Sequence, residues 1–158
     1  MILVIVGMIC TQAVISIVGR LIPGSSAEAV PESTGIDPFT ANTSQMVLIV
    51  FLTLGPIATA FIEDTVFRHT LLLKLPVWSH PARACLVVVV NAIVFGAIHF
   101  HNFGSFLGTV PYMAAGLCFN LIYLWTRNLW HVLLMHTLNN AILTLGGTIL
   151  AFVLRPAL

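Results

Sequence analysis

The chain is poor in charge. Only 7% of its 158 residues are Asp, Glu, Lys or Arg, against about 25% in an average soluble domain. The net charge is +1, and no basic run alternates with aromatic residues, so the sequence predicts no nucleic-acid partner. Hydrophobic residues make up 59% of the chain and the mean hydropathy is +1.05. These values predict an integral membrane protein surrounded by the lipid bilayer.

Cysteine is also scarce. Cys10, Cys85 and Cys118 are odd in number and widely spaced, and no Cys-x-x-Cys pair occurs. This pattern does not suggest a disulfide framework or a cysteine metal site. We therefore expect the three thiols to be small core residues.

Long apolar runs dominate what is present. They cover residues 1–22, 46–73, 84–103, 106–126 and 129–154, and a membrane span needs about 20 residues. The predicted fold class is an all-α, polytopic transmembrane helical bundle of about five spans, expected in the cell membrane. Residues 23–45 collect Pro, Gly, Ser, Thr and Asn and are predicted to form an extramembrane loop. The whole chain, residues 1–158, is predicted to be a single membrane domain.

The second run is longer than one perpendicular helix requires. Gly55-Pro56 interrupts it, which predicts a kinked or tilted helix. Glycines in the other spans are expected to let helices pack closely; they are Gly96, Gly104, Gly108, Gly116, Gly146 and Gly147.

Three short polar groups lie inside the apolar runs. They are Glu63-Asp64-x-x-x-Arg68, Phe95-x-x-x-His99 and His136-x-x-x-Asn140. An ionisable side chain within a span is costly, so its presence indicates function. Together these groups can activate water against a carbonyl and stabilise the resulting charge. Hydrolysis inside the bilayer is the leading hypothesis.

The acidic group predicts an ion pair. On a helix, Asp64 and Arg68 lie four residues apart and can neutralise one another. Glu63 then points along an adjacent row, and an unpaired carboxylate in a poorly solvated site suits a general base. The alternative is a structural role, in which all three charged side chains only hold neighbouring helices together.

The two histidine groups each share a helical face. Asn91, Phe95 and His99 recur every four residues, and His136 and Asn140 do the same. An imidazole and an amide can donate hydrogen bonds to a developing oxyanion; ordinary hydrogen bonding between helices is the alternative. The remaining histidines are predicted to be peripheral: His69, His80, His101 and His131.

Straight parallel helices would not place the three polar groups at the same depth in the membrane. Glu63 lies about 16 Å from Lys74 along a helix, whereas His99 lies about 24 Å from Arg83. Tilted helices, or a second connection that reaches the membrane only near Val87, would be needed to align them.

The order of the three groups resembles that of the CPBP intramembrane proteases, the CAAX protease and bacteriocin-processing family also called Abi. Members carry Glu-Glu-x-x-x-Arg, then Phe-x-x-x-His, then His-x-x-x-Asn. The matching part of this chain spans residues 46–145. The resemblance implies a protease core there and a peptide or membrane-protein substrate.

By that resemblance Glu63 and His99 would activate the hydrolytic water. His136 and Asn140 would stabilise the oxyanion, and Arg68 would support the carboxylate pair. Family members are described both as metalloproteases and as metal-free glutamate enzymes. Two imidazoles and a carboxylate can ligate Zn²⁺ with an open position, so a metal on Glu63, His99 and His136 stays an alternative.

Two features depart from the family pattern. The second acid of the first motif is Asp64 rather than Glu, which preserves the pairing with Arg68 and leaves a direct catalytic role open. The family commonly has more helices than five. The sequence is therefore compatible with a minimal enzyme, with a membrane partner that completes the fold, or with a homo-oligomer.

Other functions remain to be weighed. The sequence contains no His-Glu-x-x-His, Gly-x-Ser-x-Gly or Gly-x-Gly-Asp signature of other membrane proteases. We predict an intramembrane endopeptidase acting on a membrane-associated or lipidated peptide or protein. The alternative is a non-catalytic immunity-type protein that binds a bacteriocin or its receptor, which would function without Glu63. A proton- or ion-coupled carrier is disfavoured because the chain has no paired halves.

Overall fold

The computed structural model describes residues 1–25, 36–37, 39–74 and 79–154. Within these ranges the chain forms helices and no strand, which confirms the predicted all-α class. Part of the predicted extramembrane loop, residues 26–35 and 38, lies outside the described residues. The helices are α1 (Ile2–Leu21), α2 (Thr43–Asp64), α3 (Pro81–Ala97), α4 (Phe100–Phe103), α5 (Val110–Thr126), α6 (Leu129–Ala141) and α7 (Gly147–Leu154).

Two of these helices continue as π-helix. α2 runs directly into π-helical Thr65–Leu72, and α6 runs through π-helical Ile142–Gly146 into α7. In the part of the chain that the structure describes, four continuous segments are long and apolar enough to cross a membrane: Ile2–Leu21, Thr43–Leu72, Leu107–Thr126 and Leu129–Leu154. Pro81–Ala97 is apolar but only 17 residues long. The bundle is consistent with about five spans.

Local sequence determines where several helices begin. At the start of α2, the Asn42 side chain accepts a hydrogen bond from the Gln45 backbone (2.9 Å), and the Gln45 side chain accepts one from the Asn42 backbone (2.8 Å). This reciprocal capping box satisfies two backbone donors that the helix cannot use. Pro81 occupies the first turn of α3, where its missing N–H costs nothing.

Pro56 does not end α2, which continues through it to Asp64. Side chains of the α6–α7 segment donate to carbonyls near the proline. Asn140 Nδ2 donates to the Pro56 carbonyl (2.8 Å), and Thr144 Oγ1 lies 3.3 Å from the Thr53 carbonyl. Both contacts hold the part of α2 around the proline against the α6–α7 segment. They also join α2 to the helix that carries His136.

α3 ends earlier than the sequence predicted. The span expected over 84–103 begins at Pro81 and stops at Ala97, so His99 lies beyond its end. The His99 ring Nδ1–H donates to the Phe95 carbonyl (2.9 Å), while the His99 backbone N–H donates to Gly96 (3.0 Å).

The histidine ring thus contacts the carbonyl that a continuing α-helix would bond through the backbone. Competition of this kind between side chain and backbone ends regular helix. The chain turns into the short α4, which is closed by Gly104 at φ +62°, a conformation that glycine adopts without strain.

The bundle is organised around α5 and α6. α3 packs on α5, α2 packs on α6, and α1 packs on both α5 and α6. The central apolar cluster draws on α1, the π-helical part of α2, α3, α5 and α6; its buried members are Val4, Phe67, Leu72, Val88, Phe95, Phe119, Tyr123, Val132 and Met135. Many other large apolar side chains face outward, as expected where the surrounding solvent is lipid.

The prediction that the three cysteines are core residues is wrong. All three thiols are free, but Cys10 and Cys85 are exposed and Cys118 is half-buried. The physical reason is that outward-facing positions of a membrane helix are as apolar as the core. An apolar sequence context therefore does not distinguish a lipid-facing thiol from a buried one.

α3 and α5 approach most closely at Gly96. A Cβ atom added there would lie 2.5 Å from the Met113 backbone nitrogen, and one added at Gly116 would lie 2.7 Å from a Phe95 ring carbon. These two positions confirm the expected role of glycine in close packing. Gly146 and Gly147 do not share it, since a Cβ at either meets nothing within 4 Å.

Gly96→Ala is expected to destabilise the bundle. The added methyl would meet the backbone of Met113 as well as its side chain, and overpacking of this kind costs about 1–3 kcal/mol. Gly146→Ala is the matched control and should be neutral or stabilising by up to about 1 kcal/mol. Thermal unfolding of the purified proteins in detergent, followed by circular dichroism, compares them. Equal unfolding temperatures for the two variants would contradict the close approach.

Candidate active site

The residues of the first and third polar groups meet in the core. Asp64 Oδ1 lies 3.1 Å from Arg68 Nη1, which confirms the predicted ion pair. Asp64 Oδ2 lies 3.3 Å from His136 Nδ1, and His136 Nε2 lies 3.7 Å from Glu63 Oε2. The four side chains form a continuous polar chain from Arg68 to Glu63. Glu63, expected to be unpaired, thus faces an imidazole.

Arg68 is fully buried, and its guanidinium is surrounded by three aromatic rings. It lies 4.1 Å from the Phe95 ring centroid, 5.2 Å from Phe119 and 5.9 Å from Phe67. We call these three rings the aromatic cage. Among the described residues, the guanidinium has the Asp64 ion pair but no hydrogen-bond partner of normal geometry. Cation–π attraction to the cage partly compensates for the missing acceptors.

His99 contacts the Phe95 ring, which belongs to the aromatic cage. Since the Phe95 carbonyl can only accept a hydrogen bond, the Nδ1 of His99 carries a proton, and Nε2 is the acceptor of the neutral ring. The Phe95 ring contacts both histidines, with centroids 5.2 Å from His99 and 5.8 Å from His136. Tyr112 stacks on His99 with centroids 4.8 Å apart.

The amides of α6 are held by neighbouring helices. Asn140 Nδ2 uses one hydrogen for the Pro56 carbonyl and keeps a second donor. The adjacent Asn139 accepts a hydrogen bond from Gln12 of α1. α6, which bears His136, is therefore fixed by polar contacts to both α1 and α2.

One wall of a large cavity contains the predicted reactive groups. The cavity has a volume of about 1080 Å³ and is lined by α1, α2, the end of α3, α5 and the α6–α7 segment. Most of its lining is apolar, and its polar groups include Glu63, His99, His136 and Asn140. Asp64 and Arg68 do not line it, because both are fully buried behind this wall.

The remaining histidines stay apart from the site. His69, His80 and His101 are exposed, in agreement with their predicted peripheral positions. His131 is half-buried rather than exposed. None of the four lines the cavity.

A zinc site does not fit the arrangement. Within the part of the chain that the structure describes, no three His, Cys, Asp or Glu side chains are grouped so that they could hold a metal ion. Glu63 and His136 lie together, but His99 does not join them as a third ligand. The predicted Zn²⁺ set of these three residues is therefore not formed.

Comparison with known proteins decides the family. The family model described as type II CAAX prenyl endopeptidase Rce1-like matches residues 45–142, more than half of the chain. The chain belongs to this family. The match confirms the predicted resemblance to CAAX proteases and covers all three polar groups. The chain matches no curated protein and no solved structure.

Membership in the Rce1-like family gives the chain a general function. At family level the chain is a CAAX-type intramembrane protease, and a protease takes a peptide or protein substrate. Four apolar helices of spanning length agree with a membrane protein.

Sequence reasoning missed several side chains of this Rce1-like site. Tyr112 opens an apolar segment, where a tyrosine usually indicates an interfacial anchor, so its contact with His99 had no sequence signal. Phe119 gave no sequence signal either, because it is one apolar residue among many. Asn120 donates to the Val88 carbonyl (3.0 Å); as an amide inside an apolar run, it could have been identified as a helix-joining residue. Asn91, which the sequence already placed on a face with His99, donates to the Phe67 carbonyl (2.9 Å).

Proposed function

We propose that this chain is an endopeptidase that hydrolyses a peptide bond of a membrane-associated or lipidated peptide or protein, with Glu63 as the general base. One observation carries the proposal. Glu63 and His136 lie 3.7 Å apart on the wall of a largely apolar cavity of about 1080 Å³, which His99 and Asn140 also line. A concave apolar site with a few convergent polar groups is the usual form of an active site.

Glu63 would take a proton from the attacking water. Its side chain is 18% exposed, so its carboxylate can reach a molecule in the cavity. His99 presents Nε2 as an acceptor and would orient the same water. The hydroxide oxygen bonds to the substrate carbonyl carbon, and the proton on Glu63 then passes to the departing amine as the C–N bond breaks.

His136 and Asn140 would stabilise the oxyanion. Asn140 has a second N–H that is not used by Pro56. His136 would donate from Nε2 in the form that carries a proton on both ring nitrogens, while its Nδ1–H donates to Asp64. Both face a largely apolar cavity, where fixed donors stabilise developing charge more strongly than in water.

Asp64 and Arg68 would position the reactive groups without touching the substrate. Asp64 accepts the Nδ1 proton of His136 and so turns Nε2 towards Glu63, as an orienting carboxylate does in other hydrolases. Arg68 neutralises Asp64. The shorter Asp side chain therefore suits a structural role at this position better than a catalytic one.

The apolar lining supports a substrate with an apolar or lipidated segment. The cavity extends along α2 and the α6–α7 segment, far beyond the reactive groups, and leaves room for such a segment beside the scissile bond. We further propose that residues 1–158 act as a single membrane domain in the cell membrane.

The test compares peptide termini in membranes from cells that express the parent protein, Glu63→Ala or His99→Ala at matched levels. We expect new termini with the parent protein and their loss in both variants. The variants must remain inserted and helical, which circular dichroism of the purified proteins checks.

Identical terminus profiles for parent and variants would overturn the protease proposal. If the cellular phenotype also persisted in Glu63→Ala, a non-catalytic binding function would replace it. If termini appear, they identify the cleavage site and supply a peptide substrate for kinetic work.

A further inference from the structure

We propose that Tyr112 is a positioning residue for His99, holding the imidazole by ring stacking so that its Nε2 faces the cavity. This inference rests on the proposed function for its catalytic consequence. Tyr112 belongs to α5, which contains none of the three polar groups of the sequence.

The first observation is the limited anchoring of His99. The residue lies between α3 and α4, and within the described residues its ring has one hydrogen bond, from Nδ1 to the Phe95 carbonyl. A single bond at one ring nitrogen fixes a point but not the plane of the ring. Rotation about that bond would turn Nε2 away from the cavity.

Tyr112 supplies the missing constraint. Its ring lies 4.8 Å from the His99 centroid with an interplanar angle of 30°, while the Phe95 ring contacts His99 at a steeper 57°. Phe103 of α4 contacts the Tyr112 ring in turn, with centroids 4.9 Å apart. His99 is thus held between Phe95 and Tyr112, and Tyr112 is held by Phe103.

The backbone explains why Tyr112 reaches this position. Gly96 permits the closest approach of α3 to α5, at Met113, which follows Tyr112 in the chain. Thr109 and Pro111 before it are buried, and the Thr109 hydroxyl donates to the Phe106 carbonyl (2.7 Å). The start of α5 is therefore fixed against the end of α3, which places the two rings in contact.

The ring of Tyr112, rather than its hydroxyl, carries the role. In the described ranges the hydroxyl makes no hydrogen bond, although the side chain lines the cavity. Tyr112→Phe should therefore preserve the stack, whereas Tyr112→Leu should abolish it. The pair separates positioning by the ring from any contribution of the phenol.

The experiment uses the purified full chain and the peptide identified from the new termini. Tyr112→Leu is expected to lower kcat by about 10- to 100-fold, the loss typical of a misplaced catalytic group, with little change in KM. Tyr112→Phe should keep the parent kcat. Trp125→Leu, which removes an exposed aromatic ring from the same helix, should also keep it.

A second measurement does not depend on activity. Diethyl pyrocarbonate modifies imidazole rings, and the rate at which His99 reacts is measured by peptide mass spectrometry. We expect faster reaction in Tyr112→Leu and parent-like rates in Tyr112→Phe and Trp125→Leu. Equal His99 rates in parent and Tyr112→Leu would overturn the inference whatever the activity.

The two measurements separate the two proposals. If the parent protein shows no Glu63-dependent cleavage, the proposed function fails, while the His99 rates still decide whether Tyr112 holds the ring. If the parent cleaves and Tyr112→Leu retains full kcat, the inference fails and the protease proposal stands. An equal loss of kcat in Tyr112→Phe and Tyr112→Leu also contradicts it, because the stack survives in the former.

Discussion

Glu63→Gln is expected to lower the rate of peptide cleavage by about 10²–10⁴-fold, the usual contribution of a general base. Glutamine keeps the shape of the side chain but cannot take a proton from water. The fold should be unaffected, because the His136 ring is 3.7 Å from the Glu63 carboxylate and keeps its contact with Asp64. The loss should appear in kcat rather than in KM.

The measurement is steady-state cleavage of the identified peptide by purified protein. His69→Gln is the matched control, since it removes an exposed ionisable side chain from the same helical segment, outside the cavity. It should retain the parent rate. A Glu63→Gln protein that cleaves as fast as His69→Gln would exclude Glu63 as the base.

Arg68→Met is expected to destabilise the protein by about 3–5 kcal/mol, the typical result of removing one partner of a buried ion pair. The variant leaves the Asp64 carboxylate uncompensated, at a position with no exposed surface. It also removes the cation from the aromatic cage. Denaturant unfolding in detergent micelles, followed by circular dichroism, measures the change in the free energy of unfolding.

The double variant Asp64→Asn/Arg68→Met separates charge from packing. It removes both charges, so it should recover part of the stability lost in Arg68→Met. Asp64→Asn alone completes the comparison. If the stability lost in the double variant equals the sum of the losses in Asp64→Asn and Arg68→Met, the charges do not interact and the geometry of the pair is wrong. The double variant should still cleave poorly, because an amide in place of the Asp64 carboxylate would orient His136 less firmly.

The predictions that succeeded from sequence depend on local geometry. Asp64 and Arg68 lie four residues apart, and helical spacing alone brings such residues together. Helix positions followed from the length of the apolar runs, since a backbone in lipid must satisfy its own hydrogen bonds. The order of the three polar groups predicted the family that the comparison then identified.

The predictions that failed depend on choices between competing contacts. His99 was expected on the face of a long α3, but its ring bonds the Phe95 carbonyl and the helix ends at Ala97. Exposed and buried cysteines were indistinguishable because lipid and core are equally apolar. The Zn²⁺ alternative needed His99 beside Glu63 and His136, and the described residues do not group in that way.

The sequence by itself determined that this is a helical membrane protein, which residues carry its charges, and which pairs lie on one helical turn. Tertiary structure alone decided that His136 lies between Glu63 and Asp64, that three phenylalanines surround Arg68, and that Tyr112 stacks on His99. The physical reason is the separation along the sequence over which each signal acts. Hydropathy and helical spacing relate residues within one or two helical turns. Contacts between helices depend instead on where small residues such as Gly96 let backbones meet.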